Sequence, residues 1–430
     1  MRYEPISSEL FIRNRARFTA QMKPNALAVF NSNDVYPIGA DSTMPFQQDR
    51  NIYYLSGVDQ EESILVLFPD AIKEKHREIL FLKETNAHIA VWEGAKIDEK
   101  AALEKAGIST VYWLKDFTRI FDILMSQSEN VYINTNEHYR ALHTTETREA
   151  RFNKWLVGNY PAHQVAKSNP ILQGLRSVKD PLEIETLQKA CDITEKAFRR
   201  ILKYTKPGVW EYQLEAEIMH EFLMQKSHGF AYTPIIASGK NATVLHYTEN
   251  KEQCQDGELI LFDVGAEYAH YASDMSRTIP VNGKFTDRQK QIYKAVNRVK
   301  KEASQLLTPK TNWDQYHVEV GKMMTSELLG LKLLDQTDIQ NEDPRWPAYK
   351  KYFMHGTSHH IGLDTHDYGL LHEPMQANQV FTVEPGIYIP NENIGIRLED
   401  DLVIQESGGP FNLMRNIPIE IEEIEDLMHS

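Results

Sequence analysis

Single acidic residues interrupt two strongly apolar segments of this 430-residue chain. The apolar run 259–264, Leu-Ile-Leu-Phe-Asp-Val, contains one acid, Asp263, and Asp274 lies in a second strand-like run eleven residues later. A lone carboxylate in a buried strand is costly unless something pairs with it. A hairpin that pairs Asp263 with Asp274 and turns between Tyr268 and Ala269 would place both carboxylates on one face of a sheet. The sequence therefore predicts a hairpin on which two acids converge.

The same spacing argument applies downstream. Glu384 and Glu399 are fifteen residues apart, and pairing them places a turn at Asn391–Glu392 within the turn-forming sequence Pro390–Asn393. Four converging carboxylates repel one another unless a cation lies between them. The alternative is that each acid caps a helix or lines an exposed strand. We interpret the four acids together as metal ligands.

Histidines are densest between His355 and His366. The four-residue spacing of His355 and His359 would face one metal on a helix, but Gly356 and Gly362 bracket the segment and no HExxH motif is present. We expect a loop that leads into a strand, and the alternative is a surface cluster without a role. His246 stands alone, and by itself it indicates a hydrogen-bonded structural histidine.

Length and composition indicate two domains of ordinary globular character, because 41% of the residues are apolar and 25% are charged. We expect the boundary between Pro161 and Asp180. The N-terminal part alternates apolar runs with helical patterns, which predicts an α/β domain with strands at 27–30, 64–68, 79–82 and 131–133 and helices at 98–105 and 118–125. Beyond it we expect helices at 182–204, 211–226 and 288–307 and strands at 259–264, 380–383, 394–398 and 402–404.

The formal net charge of −14 argues against nucleic acid or an anionic membrane as a partner. No signal peptide or membrane-spanning stretch is recognisable, and only two cysteines are present. We therefore expect a cytoplasmic protein.

Five segments resemble the motifs of aminopeptidase P (Xaa-Pro aminopeptidase), one of the pita-bread metallopeptidases: 259–268, 271–286, 355–367, 381–389 and 395–401. The N-terminal part is similar to the family's smaller domain at 40–41, 46–48 and 53–57. The resemblance implies an α+β protein, with a smaller N-terminal α/β domain over 1–172 and a pita-bread catalytic domain over 173–430.

The resemblance also implies two manganese ions per subunit, with zinc or cobalt as alternatives. Asp263 would bind one ion, Asp274 and Glu399 would bridge both, and His359 with Glu384 would complete the other. This choice of His359 over the neighbouring histidines comes from the resemblance.

Further roles follow from the same resemblance. His246 and His366 would contact substrate and stabilise the tetrahedral intermediate, and His355 would form the wall of the site. Arg397 would link the site to Asp41 and Tyr388. Other residues with an implied role are Tyr232, which with His355 and Tyr388 would accept the proline ring, and Trp92, which in family tetramers closes a neighbouring subunit's pocket.

The implied activity is release of the first residue from a peptide with proline in second position, by a hydroxide held between the two metals, with Glu384 moving the proton. The implied assembly is a homodimer or homotetramer. The nearest alternative is prolidase, which cleaves Xaa-Pro dipeptides. A remote alternative is a non-catalytic pita-bread module that binds peptides.

Overall fold

The computed structural model describes residues 3–142 and 144–430. They form two compact units: Pro5–Arg176, and Ser177–Ser430 together with Tyr3 and Glu4. Each unit has its own sheets and its own apolar core.

The unit Pro5–Arg176 is built on one six-stranded sheet in the order β4-β3-β2-β1-β5-β6. Its strands β1 to β6 are Ala26–Asn31, Ile64–Leu67, Glu78–Leu82, Val111–Trp113, Asn130–Ile133 and Gln164–Lys167. Strand β2 is antiparallel to both neighbours, and the other pairs are parallel. The helices α1 to α7 are Ser8–Thr19, Arg50–Ser56, Ala87–Glu93, Glu99–Ala106, Phe117–Met125, Arg148–Asn159 and Asn169–Ser177. The strands and helices predicted for this part are confirmed, with ends shifted by at most one residue.

The second unit contains the helices α8 to α13, which are Pro181–Tyr204, Glu211–Met224, Asp287–Gln305, Trp313–Gly330, Gln336–Gln340 and Ile421–Met428. Helix α8 begins where the sequence indicates, because the Asp180 side chain accepts from the Leu182 N–H, Glu183 completes a capping box, and Pro181 occupies the first turn. The predicted helices α8, α9 and α10 are confirmed. Helices α11, α12 and α13 were not predicted.

Eleven short strands, β7 to β17, lie in the same unit: Gly229–Phe230, Ile235–Ser238, Leu259–Val264, Ala266–Tyr268, Tyr271–Ala272, Met275–Pro280, Val380–Val383, Gly386–Ile389, Ile394–Arg397, Asp400–Val403 and Phe411–Asn412. They form small sheets in the orders β11-β10-β7, β12-β9-β8, β13-β16-β17 and β14-β15. Two long hairpins, 259–280 and 380–403, each run through two of these sheets.

The first hairpin forms, but its predicted register is wrong by two positions: Asp263 is paired with Ser276, not with Asp274. The turn is formed by Ala269 and His270, which both have positive φ, of 50° and 66°. Such a two-residue turn matches the right-handed twist of paired strands. It lies one residue later than predicted, and this displaces the pairing by two.

A displacement of two residues leaves every side chain on its predicted face, because successive side chains in a strand alternate. Asp274 therefore still shares a face with Ser276 and Asp263. The ladder is irregular just before Asp274, where a Cβ on Gly265 would lie 1.7 Å from the Ser273 carbonyl oxygen. Only glycine allows the two chains to approach so closely at this point.

The second hairpin has the predicted register. Gly386 is paired with Arg397 and Val383 with Asp400, so Glu384 and Glu399 oppose each other in the gap between the two sheets. The chain reverses through a single 3₁₀ turn at Pro390–Glu392, followed by a left-handed residue.

Both cysteines, Cys191 and Cys254, are buried and free. No helix in the described part of the chain combines the length and the apolar character needed to cross a lipid bilayer.

Candidate metal centre

Asp274, His359 and Glu399 each direct one ligand atom into a common volume, in which these atoms lie within 4.8 Å of one another. Asp274 follows the irregular joint of the first hairpin, and Glu399 comes from the gap in the second. The loop that carries His359 reaches the site by pairing His360 with Phe381 of β13. The predicted loop leading to a strand is therefore the observed structure of this segment.

The two remaining acids border this volume. Asp263 is joined to Asp274 through Tyr232, whose hydroxyl oxygen lies 2.7 Å from Asp263 Oδ1 and 2.6 Å from Asp274 Oδ1. Glu384 Oε1 lies 3.6 Å from Nε2 of His359. All five residues predicted as ligands are thus brought together.

The donor atoms are suited to a divalent cation. Burial raises the pKa of both Asp274 and Glu399 well above the usual range, and neighbouring carboxylates raise these pKa values further. The Glu399 Oε1 atom is buried and has no hydrogen-bond partner in the described part of the protein. Four carboxylates share one guanidinium, Arg397, so the cluster lacks positive charge, which bound cations would supply.

The structure favours His359 among the neighbouring histidines as a ligand. With its Nδ1–H donated to the His360 carbonyl at 3.0 Å, His359 keeps the Nε2 lone pair directed at Asp274 Oδ2, 3.5 Å away. The His360 ring instead packs on Phe381 with ring centroids 4.2 Å apart. Burial and, to a smaller extent, Lys179 lower the pKa of His360 to about 3.

His355 lies in a hydrogen-bond chain that fixes its tautomer. Arg397 donates from Nη2 to Asp263 at 2.6 Å and from Nη1 to the Tyr388 hydroxyl oxygen at 2.9 Å. The Tyr388 hydroxyl must therefore donate its own proton to His355 Nε2, 2.7 Å away. Nδ1 then carries the hydrogen of a neutral ring and donates it to the Gly356 carbonyl at 2.8 Å, while Glu384 Oε2 lies 3.7 Å from the same nitrogen. Burial and Arg397 lower the pKa of His355 to about 3, which agrees with a neutral ring.

Tyr232 and Tyr388 have surroundings different from those predicted. Tyr388 is only 1% exposed, so it supports His355 from behind and has too little free surface to accept a proline ring. The Tyr232 hydroxyl lies between two proposed ligands, and its role in accepting the proline ring stays a prediction.

The other predicted histidines are on the surface of the same unit. His366 is exposed, and its ring centroid lies 4.3 Å from that of His359. His246 is also exposed, and it is close enough to His355 to contribute to the lowered pKa of that imidazole. Asp41 and Trp92 belong to the other unit, where both are exposed, so their roles at the site stay predictions.

Sequence reasoning missed Ser276. Its hydroxyl donates to Glu399 Oε2 at 2.7 Å and accepts from Arg397 Nε at 2.8 Å, so it connects the two hairpins directly beneath the acids. The two-residue alternation from Asp274 could have identified it, because Ser276 shares the Asp274 face.

Comparison with known proteins agrees with this geometry. Residues 185–406 match the model of metallopeptidase family M24, and residues 11–132 match that of the N-terminal domain of aminopeptidase P. This chain is 33% identical to Xaa-Pro aminopeptidase of Haemophilus influenzae, and the alignment covers 99% of this chain and 98% of that protein. For Xaa-Pro aminopeptidase of Escherichia coli K12, the identity is 34%, and 98% of each protein is covered.

The fold is also that of a solved relative. Zinc-substituted E. coli aminopeptidase P in complex with product superposes with a TM-score of 0.87 at 33% identity, covering 99% of each chain. The predicted α+β fold, with an N-terminal α/β domain and a C-terminal pita-bread domain, is thereby confirmed. The chain belongs to metallopeptidase family M24.

Proposed function

We propose that this protein is an Xaa-Pro aminopeptidase, a metal-dependent hydrolase that releases the first residue of a peptide whose second residue is proline. The convergence of Asp274, His359 and Glu399, bordered by Asp263 and Glu384, carries the proposal. The similar proteins of H. influenzae and E. coli bear this activity in their names.

Two divalent cations would be held by Asp263, Asp274, His359, Glu384 and Glu399. Cations bound there supply Lewis-acid polarisation of a carbonyl oxygen and lower the pKa of water. We propose Mn²⁺, because four carboxylates and one imidazole form a donor set rich in oxygen. Zn²⁺ and Co²⁺ are the alternatives, and one solved relative is zinc-substituted.

Glu384 is the proposed proton carrier. Burial raises the pKa of Glu384 to about 7, although His359 and Arg397 oppose the rise. In this proposal the Glu384 carboxylate accepts a proton from water and returns it to the proline nitrogen. Its Oε2 atom lies 3.7 Å from Nδ1 of His355, which donates its hydrogen to the Gly356 carbonyl instead, so the Glu384 carboxyl group is not bound by that hydrogen.

Arg397 has a positioning role in this proposal. It contacts Asp263, Tyr388 and Ser276 with three different nitrogens. These contacts hold the proposed ligand Asp263 directly, and they hold the imidazole of His355 through Tyr388. The side chains of His246 and His366 are exposed, and in this proposal they meet a substrate carbonyl and stabilise the negative charge that develops on it.

Proline specificity requires a site that does not depend on an amide hydrogen, which proline lacks. His355 is the residue of the proposed proline pocket that the geometry supports best, because its neutral ring is held from behind by Tyr388. A prolidase would share the same ligands, but the similar proteins named above are Xaa-Pro aminopeptidases.

The test is hydrolysis of Xaa-Pro peptides of two to five residues, with Mn²⁺ and with a chelator. We expect chelator-sensitive release of the first residue, at least as fast from tripeptides as from dipeptides. Asp274→Ala and Glu399→Ala should abolish release, and Asp343→Ala, at an exposed acid of the same unit, should not. Cleavage confined to dipeptides would indicate a prolidase, and full activity in Asp274→Ala would contradict the two-metal site.

Location and assembly belong to the proposal. The two free cysteines agree with the reducing cytoplasm. A homodimer or homotetramer would use surfaces such as that of Trp92, which is 79% exposed. Light scattering of the purified protein measures the assembly state directly.

A further inference from the structure

Asp400 and Asp401 follow Glu399 directly, yet their carboxylates lie in opposite electrostatic surroundings. Asp400 accepts from Arg277 Nη2 at 2.6 Å and also pairs with Lys300. Asp401 is fully buried, at 0% exposure, and takes part in no ion pair in the ranges 3–142 and 144–430. A buried carboxylate without a counter-ion is costly, so it calls for an explanation.

The contacts of Asp401 point to the metal centre. Its Oδ2 atom accepts the backbone N–H of Asp274 at 3.0 Å and the thiol of Cys191, with Sγ 3.5 Å away. Its Oδ1 atom is buried and has no hydrogen-bond partner in the described chain. The Oδ2 atom of Asp401 therefore binds the main chain of Asp274, a proposed bridging ligand.

Asp274 needs this contact because its backbone leaves the regular ladder. The preceding residue, Ser273, approaches Gly265 too closely for regular pairing, and the Ala266 N–H turns to the hydroxyls of Ser273 and Thr194. The next strand begins only at Met275. A side-chain acceptor from β16 thus fixes the one peptide group that sets the direction of the Asp274 carboxylate.

We propose that Asp401 is a positioning residue of the metal centre: by accepting the Asp274 N–H, it holds the Asp274 carboxylate toward His359 and Glu399 and so raises the affinity for divalent cations. The inference rests on the proposed function, because it requires that the cluster bind metal. Hydrogen-bond partners of metal ligands commonly change metal affinity by about 10- to 100-fold.

Three variants of the full chain separate this role from a general structural one. Asp401→Ala removes the acceptor, Asp401→Asn keeps an oxygen for the Asp274 N–H, and Cys191→Ala removes only the weaker donor on the same oxygen. The probe is Mn²⁺ alone, and its dissociation constant is measured by competition with a chromophoric chelator. The thermal unfolding midpoint in chelator is recorded for each variant.

We expect Asp401→Ala to weaken Mn²⁺ binding by about 10- to 100-fold, while Asp401→Asn and Cys191→Ala stay within about threefold of the parent protein. Activity of Asp401→Ala should recover as Mn²⁺ is raised, because the ligands themselves remain. Parent-like Mn²⁺ affinity in Asp401→Ala, or equal weakening in Asp401→Asn, would overturn the proposal. A parent protein that binds none of Mn²⁺, Zn²⁺ and Co²⁺ would instead overturn the proposed function.

Discussion

Lys179 and Asp367 form an ion pair in which each side chain is 1% exposed and Nζ lies 2.8 Å from Oδ2. Lys179 lies just before α8, and Asp367 immediately follows His366. The ion pair therefore connects the loop that carries His359 and His366 to the start of α8. Gly362 leaves room for it, because a Cβ there would lie 2.1 Å from Asp367 Oδ2.

Removing one member of this pair should cost more than removing both. Lys179→Met leaves Asp367 buried without its charge partner, and we expect a loss of about 3–5 kcal/mol in the free energy of unfolding. The double variant Lys179→Met with Asp367→Leu should lose less, because no uncompensated charge remains. Denaturant unfolding of the single and double variants checks the order, and a double variant less stable than Lys179→Met would contradict it.

The positions of the four acids were predictable because period-two alternation and turn composition are local properties. The second hairpin was placed in the correct register because Pro390–Asn393 has the composition of a turn. The predicted register of the first hairpin was displaced because its turn is formed by Ala269 and His270, whereas turns of this kind usually contain asparagine or glycine. The shared face was nevertheless correct, since a displacement of two preserves it.

Long-range contacts could not be predicted in this way. The Tyr232 hydroxyl and the Asp401 carboxylate reach ligands that are 31 and 127 residues away in the chain. No local pattern in a single sequence contains such pairings. Helix α11 was missed for another reason: its apolar positions are interrupted by polar residues, and only tertiary packing makes the helical face evident.

Arg397→Lys should reduce activity strongly although it preserves the charge. A lysine has one nitrogen and cannot contact Asp263, Tyr388 and Ser276 together as the guanidinium does. We expect kcat to fall by at least about tenfold, since the loss of one such bond to a charged group corresponds to about 1.5–3 kcal/mol. Arg298→Lys, in an ion pair with Glu327 on the surface, is the matched control and should keep parental kcat.

Tyr232→Phe should make the protein depend more strongly on metal for its stability. In the metal-free protein, the Tyr232 hydroxyl is the polar group between Asp263 and Asp274, and its loss leaves the two carboxylates facing each other. A ligand that binds only the folded state raises stability. We expect Mn²⁺ to raise the thermal midpoint by more in Tyr232→Phe than in the parent, and an equal rise in both would contradict the assignment.

His317 should make the second unit sensitive to acid. Burial lowers the pKa of His317 to about 4, with Asp314 raising this pKa and Lys350 lowering it, and the ring packs edge-on to Trp313. An unfolded chain protonates histidine near pH 6.5, before the folded protein does. The stability that His317 contributes is therefore present above about pH 6.5 and is lost as the pH falls toward 4.

The measurement is the thermal midpoint of the parent and of His317→Gln between pH 7 and pH 4. Between pH 7 and pH 4 the thermal midpoint of the variant should fall less than that of the parent. The difference corresponds to about 1–3 kcal/mol in the free energy of unfolding at the acid end. His372→Gln, at an exposed histidine of the same unit, should follow the parent. Parallel curves for the parent and His317→Gln would show that the ring does not stay neutral in the fold.

Gly265→Ala should damage the metal centre through the main chain alone. The added Cβ would lie 1.7 Å from the Ser273 carbonyl oxygen, a backbone atom that cannot turn aside, so the joint before Asp274 must move. Overpacking of this kind costs about 1–3 kcal/mol, and the displaced peptide group is the one that directs the Asp274 carboxylate. We expect Mn²⁺ affinity and peptide release to fall together. Gly330→Ala is the control, because a Cβ there meets nothing within 4 Å. Unchanged Mn²⁺ binding in Gly265→Ala would mean that the carboxylate keeps its place when the joint moves.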